Sequence, residues 1–319
     1  MSARAQLARR AVRRALRPPL ARGLERVLRL TDLRAGVVLV YHEVVDGPAR
    51  EPARAVTPVL TARVLSAHLR LLAARHRIVS AATLPAAAAQ RRRGERFPVA
   101  LTFDDDLRTH VDTALPRLRA AGATATFFLT GASLLGPSSF WWERLQRAID
   151  AGLVSHDGDA MAAAARLQAL VPAERAAASE DLLRRLGGEL PDAGLRSEHV
   201  RELVSAGCEI GFHTRDHDVL TELDERELPR ALRAGRDELE AATGGALRSI
   251  AYPHGVADDR VARAARVAGY DIGFTTTPAA VVADADPLLL GRLYPSARSS
   301  GDLAVQLTRC LWRAWRGHG

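Results

Sequence analysis

The 319-residue chain contains no lysine, and all 45 of its basic residues are arginine. That removes Schiff-base catalysis and a lysine-bearing phosphate loop. Cysteine is almost as scarce. Cys208 and Cys310 are the only two, too few for a disulfide framework. No apolar stretch approaches the roughly 20 residues that a bilayer span requires. The N-terminus has no unbroken apolar segment of the kind that marks a secretory signal. The expected location is therefore the cytoplasm, or its membrane surface.

What charge there is sits at one end. Residues 1–35 carry ten arginines against Glu25 and Asp32, an excess equal to the +8 of the whole chain. The rest balances 35 arginines against 35 acids, so charge gives the body no affinity for nucleic acid. In the basic arm, Leu7, Ala8, Ala11, Val12, Ala15 and Leu16 fall at helical spacing with arginines on the other face. Pro18-Pro19 interrupts the pattern, and Leu20, Leu24, Val27 and Leu28 resume it. A basic amphipathic helix can lie on an anionic membrane; the same pattern also suits a helix packed on the domain. The expectation is a basic arm over residues 1–35, able to make peripheral membrane contact at the inner surface.

From Gly36 onward, strand-like and helix-like segments alternate. Strands are expected at 36–41, 77–80, 98–103, 125–130, 208–212, 249–252, 272–275 and 288–293. Helices are expected at 61–75, after the 98–103 strand to about 121, and at 196–206, 224–242, 258–268 and 301–316. Strand and helix in turn argue for a parallel sheet with helices outside. The length suits one α/β barrel of seven or eight strands over residues 36–319. Residues 140–195, rich in Ala, Leu and Arg, have helical periodicity and no strand; they read as a helical insertion near the catalytic rim. Within it, Phe140-Trp141-Trp142 could stack on a ligand or anchor the insertion.

Chemistry enters at two strand ends. The run from Pro98 to Asp106 reads Pro-Val-Ala-Leu-Thr-Phe-Asp-Asp-Asp, and the run from Cys208 ends in His213-Thr214-Arg215-Asp216-His217. Acids after a strand can simply cap the next helix, and a lone His-x3-His pair says little. At the ends of two parallel strands, however, such residues converge on one face. One carboxylate and two imidazoles leave a divalent metal open to water, with a second carboxylate free as a base.

Leu101-Thr-Phe-Asp-Asp105, His213-Thr-x-x-His217 and Ala251-Tyr-Pro-His-Gly255, in this order, resemble the motifs of the polysaccharide deacetylase family, the NodB-homology domain of carbohydrate esterase family 4. The resemblance spans roughly residues 36–300. It implies a distorted (β/α) barrel that uses a divalent metal, usually zinc, to remove acetyl groups from an acetylated glycan. It implies Asp104 as general base and Asp105, His213 and His217 as metal ligands. Thr214 would support the ligands. The third motif, around Tyr252 and His254, would meet the oxyanion or the substrate, with the His254 backbone N–H as donor. The late histidine that serves the family as general acid is missing near Leu288–Pro295. Val40-Tyr41-His42 nearly matches that pattern, as in circularly permuted relatives, and makes His42 the expected acid. An arginine that orients the base commonly opens the third motif; here that position is Ala251, and Arg292 is the candidate substitute. Asp106 stands where the family has glycine, and would add a third carboxylate near the metal. The expected substrate is an N-acetylglucosamine-type glycan or glycolipid. An O-acetyl esterase, a non-sugar amide hydrolase and a non-catalytic carbohydrate-binding relative are the alternatives.

Overall fold

The structure, a computed structural model, describes residues 17–48, 54–57, 59–155 and 159–317. Residues 17–29 form helix α1. Then come β1 (Ala35–Tyr41), β2 (Glu43–Val45), β3 (Val59–Thr61), α2 (Ala62–Arg75), β4 (Arg77–Val79), α3 (Leu84–Ala89) and β5 (Pro98–Asp104). A π-helical turn, His110–Ala114, leads into α4 (Leu115–Ala120) and β6 (Thr126–Leu129). Helices α5 (Trp141–Asp150), α6 (Ala160–Gln168), α7 (Pro172–Arg185) and α8 (Ser197–Ser205) precede β7 (Glu209–Phe212). The chain closes with α9 (Glu227–Ala231), α10 (Arg236–Thr243), β8 (Ser249–Ala251), α11 (Asp259–Val267), β9 (Ile272–Phe274), β10 (Val281–Val282) and α12 (Ser300–Gly317).

Strands β1, β5, β6, β7, β8 and β9 pair in that order, all parallel, and β10 adds antiparallel to the start of β1. Every residue of β1 and β5 is buried, as a parallel sheet covered on both faces requires. Strand β4 pairs with the first half of β5 before β6 takes over its second half. The curled sheet is drawn together by residues 288–293. Leu290 bridges to Phe274 of β9 and Leu293 bridges to Leu39 of β1. The result is a distorted (β/α) barrel. The expected strand at 288–293 is thus reduced to two bridges, because it serves two partners and lies fully along neither. The expected helix at 224–242 is split into α9 and α10, since Gly235 adopts φ 79° at the break. Gly211 in β7 is needed for close approach: a Cβ there would lie 2.4 Å from the Phe128 ring.

Inside the barrel a small cluster of Val38, Ala100, Phe128, Ala251, Phe274 and Leu290 fills the lumen, while a larger layer packs the helices on the outer face. Side chains alternate along a strand. Ala100 faces the lumen, so Thr102 and Asp104 do as well. Likewise Leu290, Arg292 and Tyr294 share one face. Two independent alternations therefore deliver a carboxylate and a guanidinium to the same end of the lumen.

Helices α5 to α7 occupy the 140–195 stretch and build their own core around Trp142, Leu145, Ile149 and Leu182. Gln146 fastens it to the segment after β2: its Oε1 accepts from Val56 N–H at 2.8 Å, and its Nε2 donates to the Arg54 carbonyl at 3.0 Å. Helix α1 is not a detached arm. Ala21 and Leu28 are buried, Thr308 Oγ1 donates to the Ala21 carbonyl at 3.2 Å, and Arg75 binds the buried Glu25 carboxylate at 3.1 Å. Residues 17–35 thus belong to the body, and the first half of the expected arm, residues 1–16, lies outside the described residues. No helix among the described residues is long and apolar enough to cross a membrane.

Candidate active site

The carboxyl end of β5 turns sharply so that Asp104 and Asp105 diverge. Asp104 completes the strand and faces the lumen. Asp105 adopts φ 75°, a left-handed conformation that aspartate tolerates better than most residues. Thr214, His217 and His254 also have positive φ, at 52°, 53° and 58°, and these four are the only non-glycine residues of that kind among those described. Among the described residues, backbone strain is thus concentrated at one place, held there by the surrounding packing. His110, on the π-helical turn, fixes the bend: its Nε2–H lies 2.9 Å and 3.0 Å from the carbonyls of Asp104 and Asp105.

Arg292 is 1% exposed and makes a two-pronged pair with Asp104, Nη1 to Oδ1 at 2.7 Å and Nη2 to Oδ2 at 2.8 Å. Its remaining donors reach Thr102 Oγ1 and the Thr275 carbonyl. Such a fork fixes a carboxylate in orientation as well as charge. Burial pushes the Asp104 carboxyl up, but the Arg292 guanidinium outweighs it and holds the group below its ordinary range.

Asp105 Oδ1 lies 3.6 Å from both His213 Nε2 and His217 Nε2. His213 donates from Nδ1 to the Ala251 carbonyl at 2.7 Å, which leaves the Nε2 lone pair turned to Asp105. Asp105 Oδ1 is buried without a hydrogen-bond partner. Tetrahedral ligands at zinc bond lengths stand roughly 3.4 Å apart, so the three atoms fit around one small cation, and these residues form the one such group found among those described. The electrostatics agree. Burial, then the neighbouring Asp104, raises the Asp105 carboxyl well above its usual value. Burial lowers both histidines and keeps them neutral, the form that binds metal.

His42 is half-buried at the mouth of the site and stacks on Tyr294, with ring centroids 5.7 Å apart. Burial takes its pKa down to about 4, against the opposing pull of Asp104. The His254 ring packs 4.6 Å from the His217 ring, and its Nε2–H is 3.3 Å from the His217 carbonyl.

Two expected residues lack their expected contacts. Tyr252 is fully buried, its hydroxyl donating to the Leu288 carbonyl at 2.9 Å and its N–H to the Phe274 carbonyl at 3.0 Å. It closes the barrel wall and offers nothing to a substrate. Thr214 Oγ1 is buried without a hydrogen-bond partner, so it steadies no ligand by bonding. Asp106 also departs from expectation. Its carboxylate turns away from the ligands and accepts from Thr130 N–H and Oγ1, Gly131 N–H and Ser133 N–H. It clips the acidic turn to the loop after β6 and is no third carboxylate for a metal.

Sequence reasoning missed three residues. Tyr294 lines the cavity, and strand alternation from Arg292 would have found it. Glu143, whose buried carboxyl rises to about 7, and His110 carried no signal of their own. Of the aromatic triplet, Trp142 packs its ring 4.6 Å from His217 and stacks on Phe140; it anchors the insertion against the site.

A family model described as polysaccharide deacetylase matches residues 91–162 and 163–273. No curated protein matches. Among solved structures, the chain is similar to the Streptococcus pyogenes deacetylase PplD in complex with acetate, with TM-score 0.61, 17% identity, and 87% of this chain and 98% of that one covered. It is also similar to IcaB from Ammonifex degensii, with TM-score 0.57, 20% identity, and coverage of 87% and 97%. A de-N-acetylase from Aggregatibacter actinomycetemcomitans gives TM-score 0.58, 18% identity, and coverage of 83% and 96%. At such identities these likenesses speak to the fold.

Proposed function

This chain belongs to the polysaccharide deacetylase family, and from that premise we propose that it is a metal-dependent hydrolase removing the acetyl group from an N-acetylated amino sugar. The observation that carries this reading is the pairing of two differently treated carboxylates. Asp104 is held ionised and oriented by Arg292, while Asp105 faces two neutral imidazoles with an unsatisfied oxygen. A base and a ligand need just these two environments. The N-acetyl preference draws on one similar structure being a de-N-acetylase.

In this reading Asp105, His213 and His217 hold the ion, zinc by the chemistry of the donor set. The bound ion supplies Lewis acidity toward the acetyl carbonyl and acidifies water. Asp104 accepts the proton of the attacking water, and Arg292 keeps its carboxylate aimed during that transfer. The backbone N–H of His254, at the rim of the cavity, donates to the developing oxyanion. His42 delivers a proton to the departing amine. Because its ring is neutral at pH 7, it must first collect that proton within the site. Acetate release from chitooligosaccharides with zinc, by the wild type and by Asp104→Asn, tests the reading. Acetate released equally by both would sink the assignment of the base.

We also infer a peripheral contact with an anionic membrane at the cytoplasmic surface. Leu20, Val27 and Leu30 of the N-terminal helical stretch, with Trp315 near its end, are exposed apolar side chains. Arg22 and Arg26 are exposed on the same helix. Apolar groups flanked by arginine suit a lipid headgroup region. Binding to phosphatidylglycerol vesicles but not to phosphatidylcholine vesicles is expected, weakened by deleting residues 1–16; equal binding to both would overturn it.

A further inference from the structure

The two candidate histidine ligands are held in different ways. His213 directly follows β7. Its N–H donates to the Leu129 carbonyl at 2.8 Å, and its ring is locked by the 2.7 Å bond from Nδ1 to the Ala251 carbonyl. A ligand imidazole almost always has such a bond, which fixes both its tautomer and its ring angle. His217 has none among the described residues: its Nδ1 is buried without a hydrogen-bond partner. It stands on a loop, five residues beyond Phe212 at the end of β7, with φ 53°. Rotation of its ring about the Cβ–Cγ bond is a soft torsion. Packing therefore has to set the ring angle.

Aromatic rings close His217 in. Trp142 lies 4.6 Å from it between ring centroids, tilted by 54°, and Phe140 lies at 5.7 Å. His254 and His213 complete the enclosure at 4.6 Å and 4.8 Å. Trp142 and Phe140 belong to the helical insertion, and Trp142 is itself fixed. It stacks on Phe140 at 4.5 Å with the ring planes 5° apart, meets Trp141 edge-on, and is buried in the insertion core with Leu145, Ile149 and Leu182. The insertion holds the same loop a second time. Asp218, next to His217, lies 3.9 Å from the Arg175 guanidinium of α7. Arg175 in turn closes the end of α6, donating to the Gln168 and Leu170 carbonyls at 3.1 Å and 3.2 Å. The barrel alone thus sets Asp105 and His213, while the third ligand takes its angle from the insertion.

We propose that Trp142 is a positioning residue for the metal: its ring holds the His217 imidazole at the angle that points Nε2 at Asp105 Oδ1, 3.6 Å away, so that the helical insertion is part of the metal site. The inference rests on the metal-site reading above. Trp142 also lines the cavity over the ligands, so a reaction rate would mix two effects. The readout is zinc affinity, measured by competition with a chromophoric chelator. Trp142→Ala is expected to weaken zinc binding about 10–100-fold, the usual cost of losing what orients a ligand. Trp142→Leu keeps the core filled but removes the flat wall, and should behave like alanine; Trp142→Phe should restore most of the affinity. Two controls separate positioning from folding. Ile149→Ala damages the same core about two turns further along α5, and should lower the urea midpoint with zinc affinity unchanged. In a His217→Ala background, Trp142→Ala should weaken zinc binding no further, because the ring it orients is gone. Equal zinc affinity in wild type and Trp142→Ala, the same loss in Ile149→Ala, or a full further loss in the His217→Ala background would overturn the positioning role and leave the metal site standing. Zinc bound no better by the wild type than by Asp105→Ala would overturn the metal-site reading itself, and the positioning role with it.

Discussion

Replacing Arg292 by methionine is the perturbation whose outcome the geometry constrains most tightly. The guanidinium makes two short bonds to Asp104 and two more to Thr102 Oγ1 and the Thr275 carbonyl, all out of contact with water. Methionine fills part of the volume but leaves the Asp104 carboxylate buried without a partner. Breaking a buried pair from one side costs about 3–5 kcal/mol, a large part of the stability of an ordinary domain. Removing the second charge as well should give some of that back. The double variant Arg292→Met, Asp104→Asn should therefore be more stable than the sum of the single changes by about 2 kcal/mol. Arg292→Lys keeps the charge but loses the fork, so it should fall between wild type and Met. The assay is urea denaturation at pH 7, followed by far-ultraviolet circular dichroism, across the four proteins of the cycle. A loss below about 1 kcal/mol for Arg292→Met, or strict additivity in the cycle, would refute the argument that this pair is buried and coupled.

Three other expectations follow from the same geometry. Zinc at a thousand times its dissociation constant should stabilise the protein by about 4 kcal/mol, seen as a raised melting temperature that chelator reverses; Asp105→Ala should abolish the shift, and a shift that persists would place the ion elsewhere. Burial holds His68 at about 4 and His76 at about 3, below the unfolded value of about 6.5. Above pH 6.5 both states are neutral and stability is flat; below it only the unfolded chain takes up protons, so stability falls. At pH 5 each histidine should cost about 2 kcal/mol, and equal urea midpoints at pH 7 and pH 5 would contradict this. Asp106→Ala strips one acceptor group from four donors and should cost about 3 kcal/mol or more, with Asp106→Asn milder; a silent alanine variant in denaturation would show the clip to be idle.

The central strands were legible because β1, β5 and β7 are apolar runs that stop abruptly at histidine or aspartate, and a parallel sheet brings such ends together. The pairs at Asp104–Asp105 and His213–His217 could be read from that logic alone. What was illegible has specific causes. β2, β3 and β10 are two or three residues long, too short to show a period. Residues 288–293 carry a strand pattern, but their pairing is divided between β9 and β1. Nothing local marks Asp105 for the left-handed conformation, because the turn is set by the His110 ring five residues downstream. Tyr252 read as a site residue from its place in a motif, yet the strand carries its side chain into the helical layer. The pattern of the first helix suits either a membrane surface or the domain, because the partners of Glu25 and Ala21, on α2 and α12, are distant in sequence.

The most direct measurement is acetate release by Asp104→Asn compared with wild type, both loaded with zinc and with zinc affinity measured in parallel. If Asp104 is the base and Asp105, His213 and His217 hold the ion, the variant keeps its zinc affinity and loses about 10²–10⁴-fold in rate. A variant that binds zinc as wild type does and releases acetate at the wild-type rate would contradict the account.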